Sequence, residues 1–397
     1  MAGYISYDLG YFSSFLSVKN QALLYETRRK KSIIKLIELL ANFLYHREQF
    51  REIIMNKKVF ITGGAGFIGS NAADYFLDKK YEVVIFDNFS RKGTRSNAAW
   101  LKSSHKKGLK VIEGDIVTDT DILQREIGKS DIVIHLAGQV AVTTSVINPR
   151  EDFEINALGT FNVLEATRLA GNNPVFIYSS TNKVYGGLED LDVIEKKTRY
   201  VFKNLSHGVS ETRGVDFHSP YGCSKGAGDQ YVRDYARIYR LNTIVFRQSC
   251  IYGPRQFGVE DQGWAAWFII ALTKGKPITI YGNGKQVRDI LYIDDLLIAY
   301  ELAAKNIKQT KGNIYNIGGG PKNTLSIWYE FHPMLERLFK KKIETSVSGW
   351  RPGDQPIFVA DIRKAKKDFG WEPKVSVEEG IKKLYKWVSA NKNLFSS

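Results

Sequence analysis

The chain reads as an α/β protein: a doubly wound parallel sheet followed by a smaller C-terminal substrate-binding domain. Three observations predict this. Short apolar runs at 58–62, 82–86, 110–113, 131–136, 174–179 and 242–247 alternate with helical stretches, the pattern of a parallel sheet covered by helices on both faces. A glycine-rich turn follows the first run and opens the first helix. After residue 248 the texture changes to Gly- and aromatic-rich loops between shorter elements, ending in a helix near 378–390.

Taken in order, residues 21–54 carry Ile33, Ile34, Leu36, Ile37, Leu40 and Leu44 at helical spacing and predict one amphipathic helix. Met55 then precedes Asn56-Lys57-Lys58 and the strand-like Val59-Phe60-Ile61-Thr62. Either Met55 is therefore expected to be the true start, or residues 1–54 are a dispensable arm. The first domain is expected over 55–247, with a returning segment near 287–317. The second takes 248–286 and 318–397 and closes a cleft at the carboxyl ends of the strands, where such sheets bind ligands.

Composition narrows the function. A length of 397 residues suits one large α/β unit or two domains. The longest apolar run, 264–272, is nine residues, against roughly 20 for a membrane span. The first 25 residues lack a continuous apolar stretch, so no signal peptide is expected. Cys223 and Cys250 have neither metal-ligand spacing nor a disulfide framework. No metal and a reducing, cytoplasmic home are the expectation. The charge of +15 is mostly scattered lysine. Without a groove- or base-reading motif it argues against a nucleic-acid partner, and it favours an anionic substrate.

The run V-F-I-T-G-G-A-G-F-I-G-S carries the strongest motif. Gly63, Gly66 and Gly69 permit a tight turn and close approach of backbone to a pyrophosphate. The helix that opens at Phe67 and Ile68 offers free amides and the positive end of its dipole. The domain is thus Rossmann-type, with NAD as its cofactor. Asp87 stands 18 residues after Gly69 at a strand end. A carboxylate there binds the adenosine ribose and repels a 2′-phosphate, although Arg91 and Lys92 weaken the preference. Asn88, Ser90 and Arg91 extend the same wall, and Asp115 with Ile116 is expected against the adenine.

Tyr221 and Lys225 are four apart, one helical turn. An ammonium there is expected to favour the phenolate, so that the tyrosine can take and return an alcohol proton. Lys225 can also hold the nicotinamide ribose. Thr181 supplies a hydroxyl at a strand end, fit to bond the reacting oxygen.

With these motifs the region from 57 to about 390 resembles the extended short-chain dehydrogenase/reductase family of nucleotide-sugar enzymes. The glycine spacing, His135-Leu136-Ala137-Gly138, Asn156-x-x-Gly159-Thr160 and Tyr221-x-x-x-Lys225 carry the resemblance. It implies a Thr181, Tyr221 and Lys225 triad, a retained NAD touching Leu136, Ala137 and Gln139, a nucleotide-sugar substrate, and a homo-oligomer, a dimer or tetramer built through helices flanking the sheet. In the 4,6-dehydratases of this family an Asp and a Glu follow the threonine as acid and base. This chain has Asn182 and Lys183 there, which disfavours elimination, and the decarboxylases usually carry a Glu as well.

The longer strings A-G-Q-V-A-V-T-T-S, D-F-E-I-N, D-F-H-S-P-Y-G-C-S-K-G-A and G-N-G-K-Q-V-R-D resemble the branch that inverts carbon 2 of a CDP-3,6-dideoxyhexose. That hydrogen is not acidic, so inversion calls for hydride removal and return to the other face. Gln139, Thr143, Asn182 and His218 are the expected sugar contacts. Arg255 and Arg288 are the expected diphosphate clamps. Two other readings stay open, a sibling such as a UDP-hexose 4-epimerase and a non-catalytic NAD-sensing protein. The intact Tyr221 and Lys225 speak against the second.

Overall fold

The structure, a computed structural model, describes residues 57–351 and 353–395. The helix expected over 21–54 and the role of Met55 lie outside the described residues.

Seven parallel strands form the central sheet. They are β1 (Lys58–Thr62), β2 (Glu82–Asp87), β3 (Leu109–Glu113), β4 (Ile132–His135), β5 (Val175–Thr181), β6 (Asn242–Gln248) and β7 (Ile314–Ile317). Their spatial order is β7-β6-β5-β4-β1-β2-β3. The winding reverses between β1 and β4, which pair directly with Thr62 opposite His135. A crevice opens at such a switch point, beyond the carboxyl ends of the strands. Alternate residues feed two apolar layers: Val59, Ile61, Val83, Ile85, Ile134 and Ile177 on one face, Phe60, Val84, Phe86, Val133 and Phe176 on the other. Burial on both faces is why these strands read as continuous apolar runs.

The structure departs from expectation at two strands. β5 runs on to Thr181, two residues past the predicted 179. The ladder continues over polar residues because β6 supplies partners as far as Gln248 opposite Thr181. β7, from the returning segment, was not foreseen as a strand and pairs with β6. The longest apolar run is the helix Trp264–Thr273, buried on nearly every side, and the C-terminal helix Val377–Ala390 packs on it. Among the described residues no helix is long and apolar enough to cross a membrane. Around the cleft the strand Val287–Tyr292 pairs with Cys250–Tyr252, Thr324–Ser326 and Ile357–Phe358.

One buried ion pair anchors the long helix Pro220–Ile238 to the sheet. Arg247 on β6 forks onto Asp229 with its Nε at 2.8 Å and Nη2 at 2.9 Å. Ser180 Oγ on β5 donates to the same carboxylate at 2.8 Å. Both charged groups are nearly sealed from solvent. Arg247→Ala leaves an unpaired buried carboxylate, and a loss of about 3–5 kcal/mol is expected from urea unfolding.

Candidate active site

The glycine turn is built by close approach. Gly63 has φ 65°, a left-handed backbone that favours glycine. A Cβ on Gly69 would lie 2.2 Å from the Gly63 carbonyl oxygen, and one on Gly63 would lie 2.7 Å from the Ala137 nitrogen. The helix Phe67–Asp78 starts with no side-chain cap and no acid in its first turn. Its first amides therefore face the crevice without a protein anion, and the cradle fits a pyrophosphate.

Asp87 ends β2 and is buried. Its carboxylate accepts from the Ala65 amide at 2.9 Å and the Phe89 amide at 2.8 Å. Burial pushes its pKa up, against those bonds and the charge of Arg91. Each oxygen retains a lone pair for a ribose hydroxyl. Asn88 donates to Asp115 at 2.9 Å and accepts from the Ser90 hydroxyl at 2.8 Å, so these three form one wall. Ile116 sits against Gly159, where a Cβ would meet it at 2.5 Å. Arg91 is exposed, donates to Gln262 at 3.0 Å, and acts electrostatically on both Asp87 and Tyr221.

Behind the turn runs a chain of neutral hydrogen bonds. The Leu136 and Ala137 amides each donate to Thr62 Oγ1 at 3.2 Å. Thr62 contacts His135 Nδ1 at 2.7 Å, and His135 Nε2 contacts Thr160 Oγ1 at 3.0 Å. Thr160 in turn donates to the Asn156 carbonyl at 2.6 Å. This direction requires the proton on Nε2. Burial first, and Lys225 second, hold His135 neutral by lowering its pKa to about 3.

The sequence Ser-Pro-Tyr starts the helix Pro220–Ile238. Ser219 caps it, accepting from the Gly222 amide at 3.0 Å, and Pro220 fills the first turn. Tyr221 and Lys225 project from it and are 8% and 6% exposed. Thr181 acts on the Tyr221 phenol, so β5 and this helix bring the predicted triad together. Lys225 Nζ stands 4.3 Å over the Tyr178 ring.

The expected tuning of the phenol by the lysine is corrected. Burial raises the Tyr221 pKa to about 12, opposed by Thr181 and Arg91 and reinforced by Asp152. Burial also lowers Lys225 to about 7, with Asp152 and Asp229 opposing. The protein interior disfavours both ions before either can help the other.

The expected substrate contacts divide. Thr143 has a buried hydroxyl without a partner among the described residues. Asn182 is buried and accepts weakly from Thr181 at 3.5 Å. Lys183 lies in the short turn Asn182–Tyr185 near Arg288, Asp354 and Cys250, and burial lowers its pKa to about 8. It is half-buried rather than fully exposed. Arg288 is buried and paired with Asp354 at 2.5 Å. His218 is at the rim, its Nε2 held by Asp216 at 2.9 Å.

Arg255 does not reach the cleft. Its guanidinium stacks on Trp100 at 3.1 Å and faces Trp387 at 5.9 Å. Two aromatics from elements remote in sequence offer that cation a better seat than open water. Gln139 binds inward: its Nε2 donates to Asp152 and to the Ala141 carbonyl, both at 2.8 Å.

Sequence reasoning missed Asp152, Ser145, Asn97 and Gln355. Asn97 donates to the Ala65 carbonyl at 3.1 Å and steadies the glycine turn. Ser145 accepts from the Tyr221 amide at 3.1 Å. Gln355 is buried against the Gly186 carbonyl with its own Oε1 unpartnered. The Asp in D-F-E-I-N was the one visible signal, an acid inside an apolar string.

Comparison with known proteins places this geometry. A family profile described as GDP-mannose 4,6 dehydratase matches residues 60–384. CDP-paratose 2-epimerase of Salmonella typhi is 47% identical over 340 residues, covering 84% of this chain and 99% of that protein. The structure of UDP-glucose 4-epimerase from Thermotoga maritima with UDP-glucose matches with a TM-score of 0.71 at 30% identity, over 84% of this chain and 99% of that one. UDP-glucuronic acid 4-epimerase from Bacillus cereus, in complex with UDP-glucuronic acid and NAD, matches with a TM-score of 0.71 at 29% identity over the same shares.

Proposed function

Because the chain belongs to the GDP-mannose 4,6 dehydratase family, among the extended short-chain dehydrogenase/reductases, we propose that it is an NAD-dependent nucleotide-sugar epimerase that inverts carbon 2 of a CDP-3,6-dideoxyhexose, CDP-paratose to CDP-tyvelose. One observation carries this reading. Thr181 and Tyr221 meet beside Lys225, while the two positions after the threonine hold Asn182 and Lys183. The site has an alcohol-oxidising triad without the acid and base that elimination needs. The 47% identity to a CDP-paratose 2-epimerase supports the same choice.

The residues fit a dinucleotide. Gly63, Gly66 and Gly69 with the amides of Phe67 and Ile68 would hold the pyrophosphate, and Asp87 the adenosine ribose. Bound NAD supplies a hydride acceptor and donor. With the positive charge of the bound nicotinamide opposing the effect of burial and favouring the phenolate, Tyr221 would take the proton of the carbon 2 hydroxyl and later return it, with Thr181 orienting that oxygen. Carbon 2 becomes planar as the 2-ketone, and the sugar turns over before reduction on the opposite face. Arg288 and Lys183 anchor the diphosphate meanwhile, and the segments 248–286 and 318–397 act as the substrate lobe.

The test is incubation of the protein with CDP-paratose, followed by NMR. Failure to invert carbon 2, with turnover of a UDP-hexose at carbon 4 in a parallel panel, transfers the assignment to a 4-epimerase. Acid-denatured protein is expected to release NAD in near-stoichiometric amount. A second copy of the chain is proposed to cover the exposed Ile147, Phe153, Phe161, Leu169, Tyr231 and Ile238, which lie on the helices flanking one face of the sheet. A cytoplasmic home belongs to the same reading.

A further inference from the structure

A buried acid packs against the helix that carries Tyr221 and Lys225, and among the described residues neither that acid nor Lys225 has a counter-ion in contact. Asp152, on the helix Pro149–Phe153, is 1% exposed. Its hydrogen-bond donors are all neutral. Gln139 Nε2 at 2.8 Å and Asn156 Nδ2 at 3.0 Å reach one oxygen, and Ser224 Oγ reaches the other. Lys225, next to Ser224 in the chain, has the Tyr178 ring as its neighbour and forms no ion pair among the described residues. The other buried acid near Lys225, Asp229 on the same helix, is committed to Arg247. A buried charge left alone costs several kcal/mol. Two of opposite sign in a dry interior, one of them hydrogen-bonded to the residue next to the other, offset part of that cost without touching.

We propose that Asp152 is a positioning residue for the catalytic pair. Through Ser224 and Gln139 it ties the Tyr221–Lys225 helix to the loop after β4, and its charge is the counter-ion of the Lys225 ammonium. This rests on the oxidoreductive reading of the site given above.

The groups facing the pair are few. His135 on β4 is neutral, held between Thr62 and Thr160. Tyr178 on β5 is a buried phenol. Asp229 is matched by Arg247. Arg91, from the loop after β2, acts on Tyr221. Asp152 is the acid among them whose charge no contacting cation matches. It works upward on both Tyr221 and Lys225, so its removal must let both fall.

Asp152→Asn removes the charge and keeps the hydrogen bonds. Ser224 Oγ also reaches the Tyr221 carbonyl at 3.2 Å. It can donate there while accepting from the new amide. The ε-carbon NMR titration of Lys225 in the intact protein, its signal assigned with Lys225→Met, is expected to move down by about one pH unit. Both limbs of the pH profile for CDP-paratose turnover should shift the same way. Asp152→Glu, which retains the charge, should leave the titration in place even where turnover drops. If Asp152→Asn does not fold, Asp152→Ser is held to the same shift. An unmoved Lys225 titration, with turnover reduced at every pH alike, overturns the inference. A native protein that leaves CDP-paratose unchanged removes the function proposed above, and the NMR titration still decides the role of Asp152.

Discussion

Tyr221→Phe is expected to cut turnover about 10³-fold, the scale of one general acid–base group, and to leave the fold intact. The phenol is 8% exposed and Thr181 acts on its hydroxyl. Deleting that oxygen forfeits at most one buried hydrogen bond, about 1 kcal/mol, and creates no cavity larger than an oxygen atom. The glycine turn and Lys225 are untouched, so the dinucleotide should remain and be released on acid denaturation as from the native protein. Turnover of CDP-paratose by NMR, beside a thermal melt, separates the two effects. A variant that keeps more than about a tenth of native turnover would show that Tyr221 does not move the proton.

Gly69→Ala is expected to have the opposite profile, with cofactor and stability lost together. The added Cβ would stand 2.2 Å from the Gly63 carbonyl oxygen and 2.6 Å from Gly64 Cα. These are backbone atoms of a turn already at φ 65°, and they cannot rotate away as a side chain would. The helix must lift off the turn. Overpacking of this kind costs about 3 kcal/mol, and the lifted helix no longer aims its amides at a pyrophosphate. Urea unfolding and the NAD content of the acid supernatant check both. Gly66→Ala is the control, because its Cβ meets a single atom at 3.1 Å. It should lower stability less and retain more dinucleotide.

The fold and the triad were legible for one reason: their signals are local. Gly63, Gly66 and Gly69 sit within a single turn, and Tyr221 and Lys225 within a single helical turn. Strand spacing and the helix at 377–390 follow from patterns a few residues long. The errors fall where a neighbour decides. Arg255 looked like a phosphate clamp in Tyr-Gly-Pro-Arg-Gln, but Trp100 and Trp387 claim its guanidinium. Lys225 looked like the group that acidifies Tyr221. Burial instead moves both toward neutrality, and burial cannot be read from a spacing of four.

By itself, then, the chain's order of residues settled the parallel α/β architecture, the dinucleotide turn and the tyrosine–lysine pair. Each of these is written in backbone periodicity or in the steric needs of glycine. The three-dimensional packing alone decided which polar and charged groups meet. It brought Asp152 to Ser224 across 72 positions, Thr62 to His135 across 73, and Arg288 to Asp354 across 66. Electrostatic energy depends on distance and on exclusion of water, and neither quantity exists until the sheet has closed over its helices.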